Sequence, residues 1–588
     1  MSASNIPEKT ALGNRENSTE GSLMTEEFTA ATSPRKTLFQ GEFSGGKDVG
    51  IYQSFTTSHA ALSKDSPIAY TNNSTPKTEL FIVILVALLL RAAVSQGPFS
   101  GMNDYPMHGD FEAQRHWMEI TANLPLSEWY QGKSKWNNLQ YWGLDYPPLT
   151  AYHSYLFGSL FKLVAPDIVA LGTSRGMETP ETIIWMRFSA ILSDALTFIP
   201  ATVLLFLQIQ KRYQKLEDPP VPISKKEIRE FYSQSSALLL LTLTSPSLIL
   251  VDHGHFQFNC VCHGFFVITL YFCEKLDRNS HRYGVIPSIC FCCALNFKQM
   301  SLYYAPAVFS YFLNWAAIDK FYPRYNHGKI TITRLFVLAT SVILTFVVIW
   351  APFILSGKML QVLKRIFPFE RGLFEDKVAN FWCTTNVILK WKVLFPPQYL
   401  PLFALLATVV TIFPSCLTFF LITTRKMEYI LLGFFNVSLS FFLFSYQVHE
   451  KSILLPLVPC LLIFLTSEEK FYGFAAWFSN FAALSMIPLF FKDGIAFTSY
   501  CLLGFHIILQ CFILPRKIMN NYLMWIALMI MLITSGCVCF LTSPFKQYPD
   551  LFITIHYSYA FLVFSGFWFY GNSKLTDFAL GVYKQKVD

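Results

Sequence analysis

From residue 80 onward the chain is divided into about fourteen apolar segments of bilayer-spanning length: 80–95, 183–209, 233–251, 258–274, 284–298, 300–316, 334–355, 399–423, 428–446, 452–466, 471–491, 496–514, 521–541 and 551–571. None shows the alternation of a barrel strand, and inside hydrocarbon only helices and closed barrels satisfy their own backbone groups. The expected fold class is therefore all-α and polytopic. Hydrophobic residues make up 53% of the chain, charged residues 14%, and mean hydropathy is +0.38, which excludes an ordinary soluble globule.

The formal net charge is +8, but the basic residues fall in short clusters between apolar runs, a membrane-topology pattern and not a nucleic-acid face. Lys211, Arg212, Lys215, Lys225, Lys226 and Arg229 share one connection; Lys275, Arg278 and Arg282, then Lys320, Arg324 and Lys329, then Arg425 and Lys426, then Arg516 and Lys517 fall in others. With fourteen spans, all of these connections lie on the side of both termini, which the positive-inside rule makes the cytosol. The opposite face receives the 96–182 loop, Asp252–Asn259, the turn around Lys298, the 357–397 loop and Val448–Ser452. That last-but-one loop carries Lys358, Lys364, Arg365, Arg371, Lys377, Lys390 and Lys392 against the charge rule. It reads either as an amphipathic segment lying on the membrane surface or as an anion-handling segment, since Arg forks and Lys point charges suit phosphate.

The chain thus divides into a polar, disordered cytosolic tail over 1–78, an N-terminal spanning module over 79–356 that holds the 96–182 loop, the basic amphipathic loop 357–397, and a C-terminal spanning module over 398–588. The tail's sequons at Asn17 and Asn73 then face the cytosol and stay unmodified. Leu80–Val94 reads as an uncleaved anchor. The thirteen Cys are scattered in apolar runs and read as packing thiols. Lys584 and Lys586 stand as in the KxKxx signal read by the coat machinery that returns membrane proteins to the endoplasmic reticulum.

Chemistry-bearing residues gather in the connections assigned to one face. His108–Trp117 contains Asp110, Glu112, Arg115 and His116; Trp142–Pro148 contains Trp142 and Asp145, the latter held by a Tyr-Pro-Pro turn. Asp110 suits a general base and equally the N-cap of a helix over Phe111–Ile120, and Arg115 suits either an acceptor contact or a local carboxylate pair. His253 and His255 have the look of a metal pair but lack a carboxylate partner set of known spacing, so no metal is expected. Trp117, Trp129, Tyr141, Trp142 and Trp382 suit interfacial anchoring or sugar stacking.

These motifs, with Asp252–Asn259, Arg371–Asn380 and His449-Glu450-Lys451-Ser452, resemble the dolichyl-phosphate-glucose-dependent glucosyltransferases that extend lipid-linked oligosaccharides. The resemblance runs from about residue 79 onward and is closer to the branch adding the first glucose than to the paralogous branch adding the second. It implies a GT-C-like helical bundle with amphipathic lumenal loop helices in the endoplasmic reticulum membrane. It also implies a lumenal site, dolichyl phosphate glucose as donor, a dolichyl pyrophosphate-linked high-mannose oligosaccharide as acceptor, and inversion at the anomeric carbon without metal or other cofactor. A phosphate monoester is a good leaving group, so one base and several cations suffice. Asp110 resembles the family's catalytic aspartate. Glu112, Arg115, His116, Asp145 and Trp142 are expected on the acceptor side, and His449, Lys451, Arg371, Lys377 and Lys298 near the donor phosphate. A related mannose-using transferase and, from another class, a lipid or solute transporter remain as rivals; the chain lacks the internal repeats expected of the latter.

Overall fold

The computed structural model describes residues 76–132, 134–216, 225–276, 282–317, 328–367, 377–422, 426–466 and 468–587, and every regular element among them is helical. Most of the 1–78 tail, Arg371 and the Glu375–Asp376 pair lie outside the described residues, as do the side chains of Lys584 and Lys586.

Helix α1 (Pro76–Val94) begins on proline, whose missing N–H costs nothing at a helix start, and carries Glu79 in its first turn and Arg91 in its last. Two helices of the following loop, α2 (Asp110–Asn123) and α3 (Pro148–Val164), pack on each other rather than cross a membrane. They meet at Gly158, where a Cβ would lie 2.4 Å from the Met118 carbonyl oxygen, so only glycine permits the approach. Next come α4 (Pro180–Leu196) and α5 (Phe198–Leu216), which together supply one candidate span, Pro180–Arg212. Helix α6 (Lys225–Leu243) stops before Pro246. The chain continues through a 43° bend into Pro246–Ile249 and a wide π-helical turn over Leu250–Phe256. Wide turns of this kind shift side chains out of α-helical register and recur at functional sites.

The remaining bundle comprises α7 (Asn259–Glu274), α8 (Arg282–Phe297), α9 (Ala305–Ala317), α10 (Gly328–Leu355), α11 (Met359–Ile366), α12 (Leu400–Leu421), α13 (Met427–Phe444), α14 (Leu454–Leu462), α15 (Tyr472–Ser485), α16 (Ile487–Lys492), α17 (Ala496–Ile513), α18 (Tyr522–Phe540) and α19 (Leu551–Val587). Helix α13 is buried almost along its whole length and forms the centre, whereas α12 and α18 leave Leu405, Val410, Phe413, Ile526 and Ile533 exposed, as lipid-facing helices do.

Among the described residues seven helices are long and apolar enough to cross a membrane, or eight if the bent pair around Pro246 is one span. Fourteen apolar runs were expected to do so. Several of the fourteen runs fall below that length or bend: the run at 452–466 is a nine-residue α-helix, with Pro459 inside it, continued at both ends by short 3₁₀ turns, and the run at 471–491 divides into α15 and α16. The count of fourteen is therefore not confirmed among the described residues.

Buried polar groups tie the helices around the future site. Arg91, 1% exposed, donates to Asp194 Oδ2 at 2.5 Å and to the carbonyls of Ala87 and Leu243, joining α1, α4 and α6. Asp194 Oδ2 also pairs with His253 Nε2 at 3.0 Å. Arg187 donates to the carbonyls of Gly97, Pro98, His253 and Gly254, clamping the end of the α1 loop onto the wide turn. Removing one partner of a buried pair strands the other, so Arg91→Leu is expected to cost about 3–5 kcal/mol. Thermal melting of purified protein in detergent measures the loss, and adding Asp194→Asn to Arg91→Leu is expected to restore part of it.

Candidate active site

Asp110 is the first residue of α2, and the helix is capped by Gly109, which makes no side-chain capping bond. The capping role open to Asp110 is thus not the one it takes; its carboxylate turns to other helices. Gly109 itself is required, because a Cβ there would lie 2.5 Å from the Ser100 carbonyl group. That close approach folds the 98–101 turn onto the start of α2.

Three donors from two distant segments converge on one carboxylate oxygen. Asp110 Oδ2 lies 2.7 Å from Lys451 Nζ and 2.9 Å from His255 Nε2, and it accepts from Gln257 Nε2 as well. None of these bonds uses Oδ1, and the Asp110 side chain keeps 22% exposure. Burial pushes the Asp110 carboxyl up, but Lys451 and His255 outweigh it and hold the group well below the usual carboxylate range. Burial likewise opposes the Lys451 ammonium, and Asp110 more than compensates, raising its pKa.

The wide turn aims the donors. Phe256 takes φ +85°, a left-handed conformation that is strained for a bulky residue, and its ring is gripped by Phe111 at 4.8 Å and Phe258 at 5.5 Å between centroids. His255 and Gln257, its neighbours, both reach Asp110. On its far side His255 Nδ1 meets Asp493 Oδ2 at 2.5 Å, from the connection between α16 and α17. Gln257 Oε1 accepts from Lys298 Nζ at 2.7 Å, and Lys298 also donates to Asn259, which is held by Asp252. A cavity of about 370 Å³ lies beside the cluster, walled by the 98–104 turn, His108–Gly109 and Lys492–Gly494.

Only some of the residues expected at the site meet there. Lys451 touches Asp110. His449 starts the same turn, half-buried, two residues away. Lys298 is buried and committed to Gln257 and Asn259, with its ammonium 4.9 Å from the Tyr146 ring centre, so it supports Asp110 through Gln257 instead of waiting for a phosphate. Lys377 pairs with Asp550 at the surface, and Arg371 is outside the described residues.

Most of the residues expected on the acceptor side sit in a network within the loop itself. Arg115, fully buried, forks onto Glu112 with two 2.7 Å bonds and reaches Glu119 at 2.8 Å, Ser174 and the Ile168 carbonyl. His116 contacts Glu119, and Tyr141 donates to Glu112. Glu112, Arg115 and His116 therefore cross-link the loop; a face of α2 turned inward buries the pairs that spacing alone left open. Trp142, at φ +49°, donates to the Met107 carbonyl and accepts from Trp117, bracing the loop rather than presenting a ring for stacking. Trp129 and Trp382 are buried with their indole N–H groups on the Leu124 and Phe444 carbonyls. Asp145, partly exposed, sits where the loop meets Gln299, which donates to its carbonyl.

His253 and His255 point apart, to Asp194 and Asp110 respectively, and among the described residues no three His, Cys, Asp or Glu side chains converge as metal ligands. Sequence reading missed Asp493 and Gln257. Asp493 had a signal: an ionisable residue in a four-residue connection between apolar runs.

The sequence profile described as the ALG6, ALG8 glycosyltransferase family matches residues 83–570. The dolichyl pyrophosphate Man9GlcNAc2 alpha-1,3-glucosyltransferase of Saccharomyces cerevisiae is 38% identical over 531 residues, covering 84% of this chain and 91% of its own length. Its namesake in Gallus gallus is 38% identical over 504 residues, with 80% and 91% covered. A probable enzyme of the same name in Arabidopsis thaliana is 41% identical over 419 residues, with 71% and 72% covered.

The loop network carries its own pH dependence. Burial raises the Glu119 carboxyl, but His116 and Arg115 outweigh it and hold the pKa at about 2. This folded value lies below the unfolded one, ~4.3, so the stability it contributes is present above that pH and lost as pH falls through about 2. Melting temperatures taken between about pH 5 and pH 2 are expected to fall less steeply for Glu119→Gln than for the unaltered protein.

Proposed function

The chain belongs to the ALG6, ALG8 glycosyltransferase family, and from that premise we propose that it transfers glucose from dolichyl phosphate glucose to the dolichyl pyrophosphate-linked Man9GlcNAc2 oligosaccharide, forming an α-1,3 linkage with inversion. The relatives' names support the reaction and the acceptor. Family membership displaces the transporter reading. The acceptor without glucose is favoured over the once-glucosylated one because the relatives are named for Man9GlcNAc2.

The observation that carries the mechanism is the occupation of Asp110 Oδ2 by three donors. Those donors keep the carboxylate ionised and orient it, leaving Oδ1 to take the proton of the acceptor 3-hydroxyl. As that oxygen bonds to the anomeric carbon of glucose, the bond from carbon to phosphate oxygen breaks and its electron pair departs on dolichyl phosphate. A phosphate monoester needs no protonation to leave, which is consistent with a site rich in cations. Lys451, with His449 and, from the sequence alone, Arg371 as further candidates, is proposed to face the donor phosphate, where fixed positive charge stabilises the developing anion. The 370 Å³ cavity beside Gly109 and Asp493 is proposed to receive the acceptor.

The site is proposed to open to the lumen of the endoplasmic reticulum with both termini cytosolic. In support, with the fourteen spans read from the sequence, the connections holding Asp110, His255 and Lys451 fall opposite the short Lys- and Arg-rich loops. Lys584 and Lys586 fit retrieval by coat machinery from such a tail. Positive charge is proposed to come from side chains and not from a divalent ion.

Purified protein with a lipid-linked acceptor is expected to use dolichyl phosphate glucose and to reject dolichyl phosphate mannose. Asp110→Asn, close in shape but without basicity, is expected to lower kcat about 10²- to 10⁴-fold while the donor KM stays close to that of the unaltered enzyme. Substantial turnover by this variant would remove Asp110 from the base role. EDTA is expected to leave turnover unchanged; loss restored by magnesium or manganese would overturn the metal-free proposal.

A further inference from the structure

We propose that Asp493 is a positioning residue for this reaction: by holding His255 doubly protonated, it keeps Asp110 ionised and aimed. This rests on the proposed transfer reaction and extends it to a residue in a connection between two C-terminal helices.

Asp110 Oδ2, His255 Nε2 and Lys451 Nζ form a triangle with sides of 2.7, 2.9 and 3.1 Å. A carboxylate oxygen and an imidazole nitrogen at 2.9 Å require a proton between them, since otherwise two lone pairs face each other. Lys451 donates to Oδ2 along one edge; once Nε2 carries hydrogen, the 3.1 Å edge between Nζ and Nε2 joins two donors and is not a hydrogen bond. The remaining edge is satisfied when His255 Nε2 carries hydrogen and donates to Oδ2.

Asp493 Oδ2 lies 2.5 Å from His255 Nδ1, and it too accepts only, so both ring nitrogens donate. Two cations 3.1 Å apart at His255 and Lys451 persist because two carboxylates flank them, and the four groups sum to zero charge. His255 and Asp493 are each 3% exposed in their side chains, so solvent does little of this compensation. The other charged groups nearby are the cations Arg187, on the Gly254 carbonyl and against the Phe256 ring, Lys298 behind Gln257, and Lys492 adjacent in sequence, and the carboxylates Glu450, which acts on Lys451, and Asp252, behind Asn259. Of the carboxylates, Asp493 is the one bonded to the far nitrogen of the His255 ring. Without it His255 sheds its second proton, and its Nε2 lone pair then confronts the base it had been stabilising.

No proton is exchanged by Asp493 itself. The acceptor proton goes to Asp110 Oδ1, and the electron pair leaves on the donor phosphate, as above.

The test uses full-length purified protein with dolichyl phosphate glucose and a lipid-linked acceptor. In Asp493→Asn, kcat is expected to fall at least about tenfold with the donor KM within about threefold of the unaltered enzyme. The acid limb of kcat/KM is expected to move to higher pH by about half a unit or more. The direction follows because Asp110 loses a directly bonded cation, which outweighs the removal of a negative charge on the far side of the ring. Asp493→Glu, which keeps the carboxylate, is expected to recover most of kcat and to return the acid limb to its original position. This variant carries the test if the Asn form does not fold. An unmoved acid limb in Asp493→Asn, or limbs shifted alike in the Asn and Glu variants, would overturn the inference and leave a packing role. Unaltered enzyme that fails to transfer glucose would overturn the proposed reaction and this inference with it, whereas active unaltered enzyme with a fully active Asp493→Asn would overturn the inference alone.

Discussion

A charge taken into an apolar bundle has to bring its counter-charge with it, and the organisation of this protein depends on that requirement. Arg91 with Asp194 and His253, and Lys451 and His255 with Asp110 and Asp493, are two such sets, each spanning segments far apart in sequence. Breaking either set leaves an uncompensated group in a low-dielectric interior, which costs far more than a surface pair is worth. The first set fixes where α1, α4 and α6 meet. The second uses the same physics at the edge of the bundle, where one carboxylate oxygen stays uncommitted.

The wide turn over Leu250–Phe256 links the two. His253 points from it to Asp194, while His255 points to Asp110 and Asp493, so two histidines two residues apart belong to different networks. An α-helical register would not hold that divergence against the left-handed Phe256, and the Arg187 clamp on the His253 and Gly254 carbonyls supplies the constraint. The strain is local. It is offset by aromatic packing of Phe256 between Phe111 and Phe258, which also fastens α2, and with it Asp110, to the turn.

What the sequence made legible follows from which physical signals are one-dimensional. The positions of Lys and Arg in short connections led to an expected common face for the 96–182, 252–259 and 448–452 connections, and the structure brings Asp110, His255, Gln257 and Lys451 from these together. The helical class was legible from apolar runs, whereas the count of fourteen spans is not confirmed, because 3₁₀ turns and the break between α15 and α16 divide apolar runs into shorter helices without lowering hydropathy. Asp110 stood out as an acidic residue opening a polar loop helix. Glu112, Arg115 and His116 share that helix and chemistry, yet their roles depend on which face of α2 turns inward, a fact set by the 166–174 segment that Arg115 and Glu119 grip. Lys298 illustrates the same dependence: from sequence it is a cation at the end of a span, and in the structure Gln257 and Asn259 hold it.

Lys298 and Lys451 differ in a way that bears on the anionic donor proposed for this site. Lys298 has both of its side-chain acceptors within 2.7 Å and no exposure to give up, so an arriving phosphate gains little from it. Lys451 retains 22% side-chain exposure and shares Asp110 Oδ2 with His255 and Gln257. If a phosphate draws Lys451 partly away, the two other donors still hold the carboxylate ionised. Redundancy on Oδ2 therefore separates the requirements of base and leaving group: one cation can turn toward departing negative charge while the aspartate remains competent to accept a proton on Oδ1. A lone aspartate and lysine would have to compromise between those tasks.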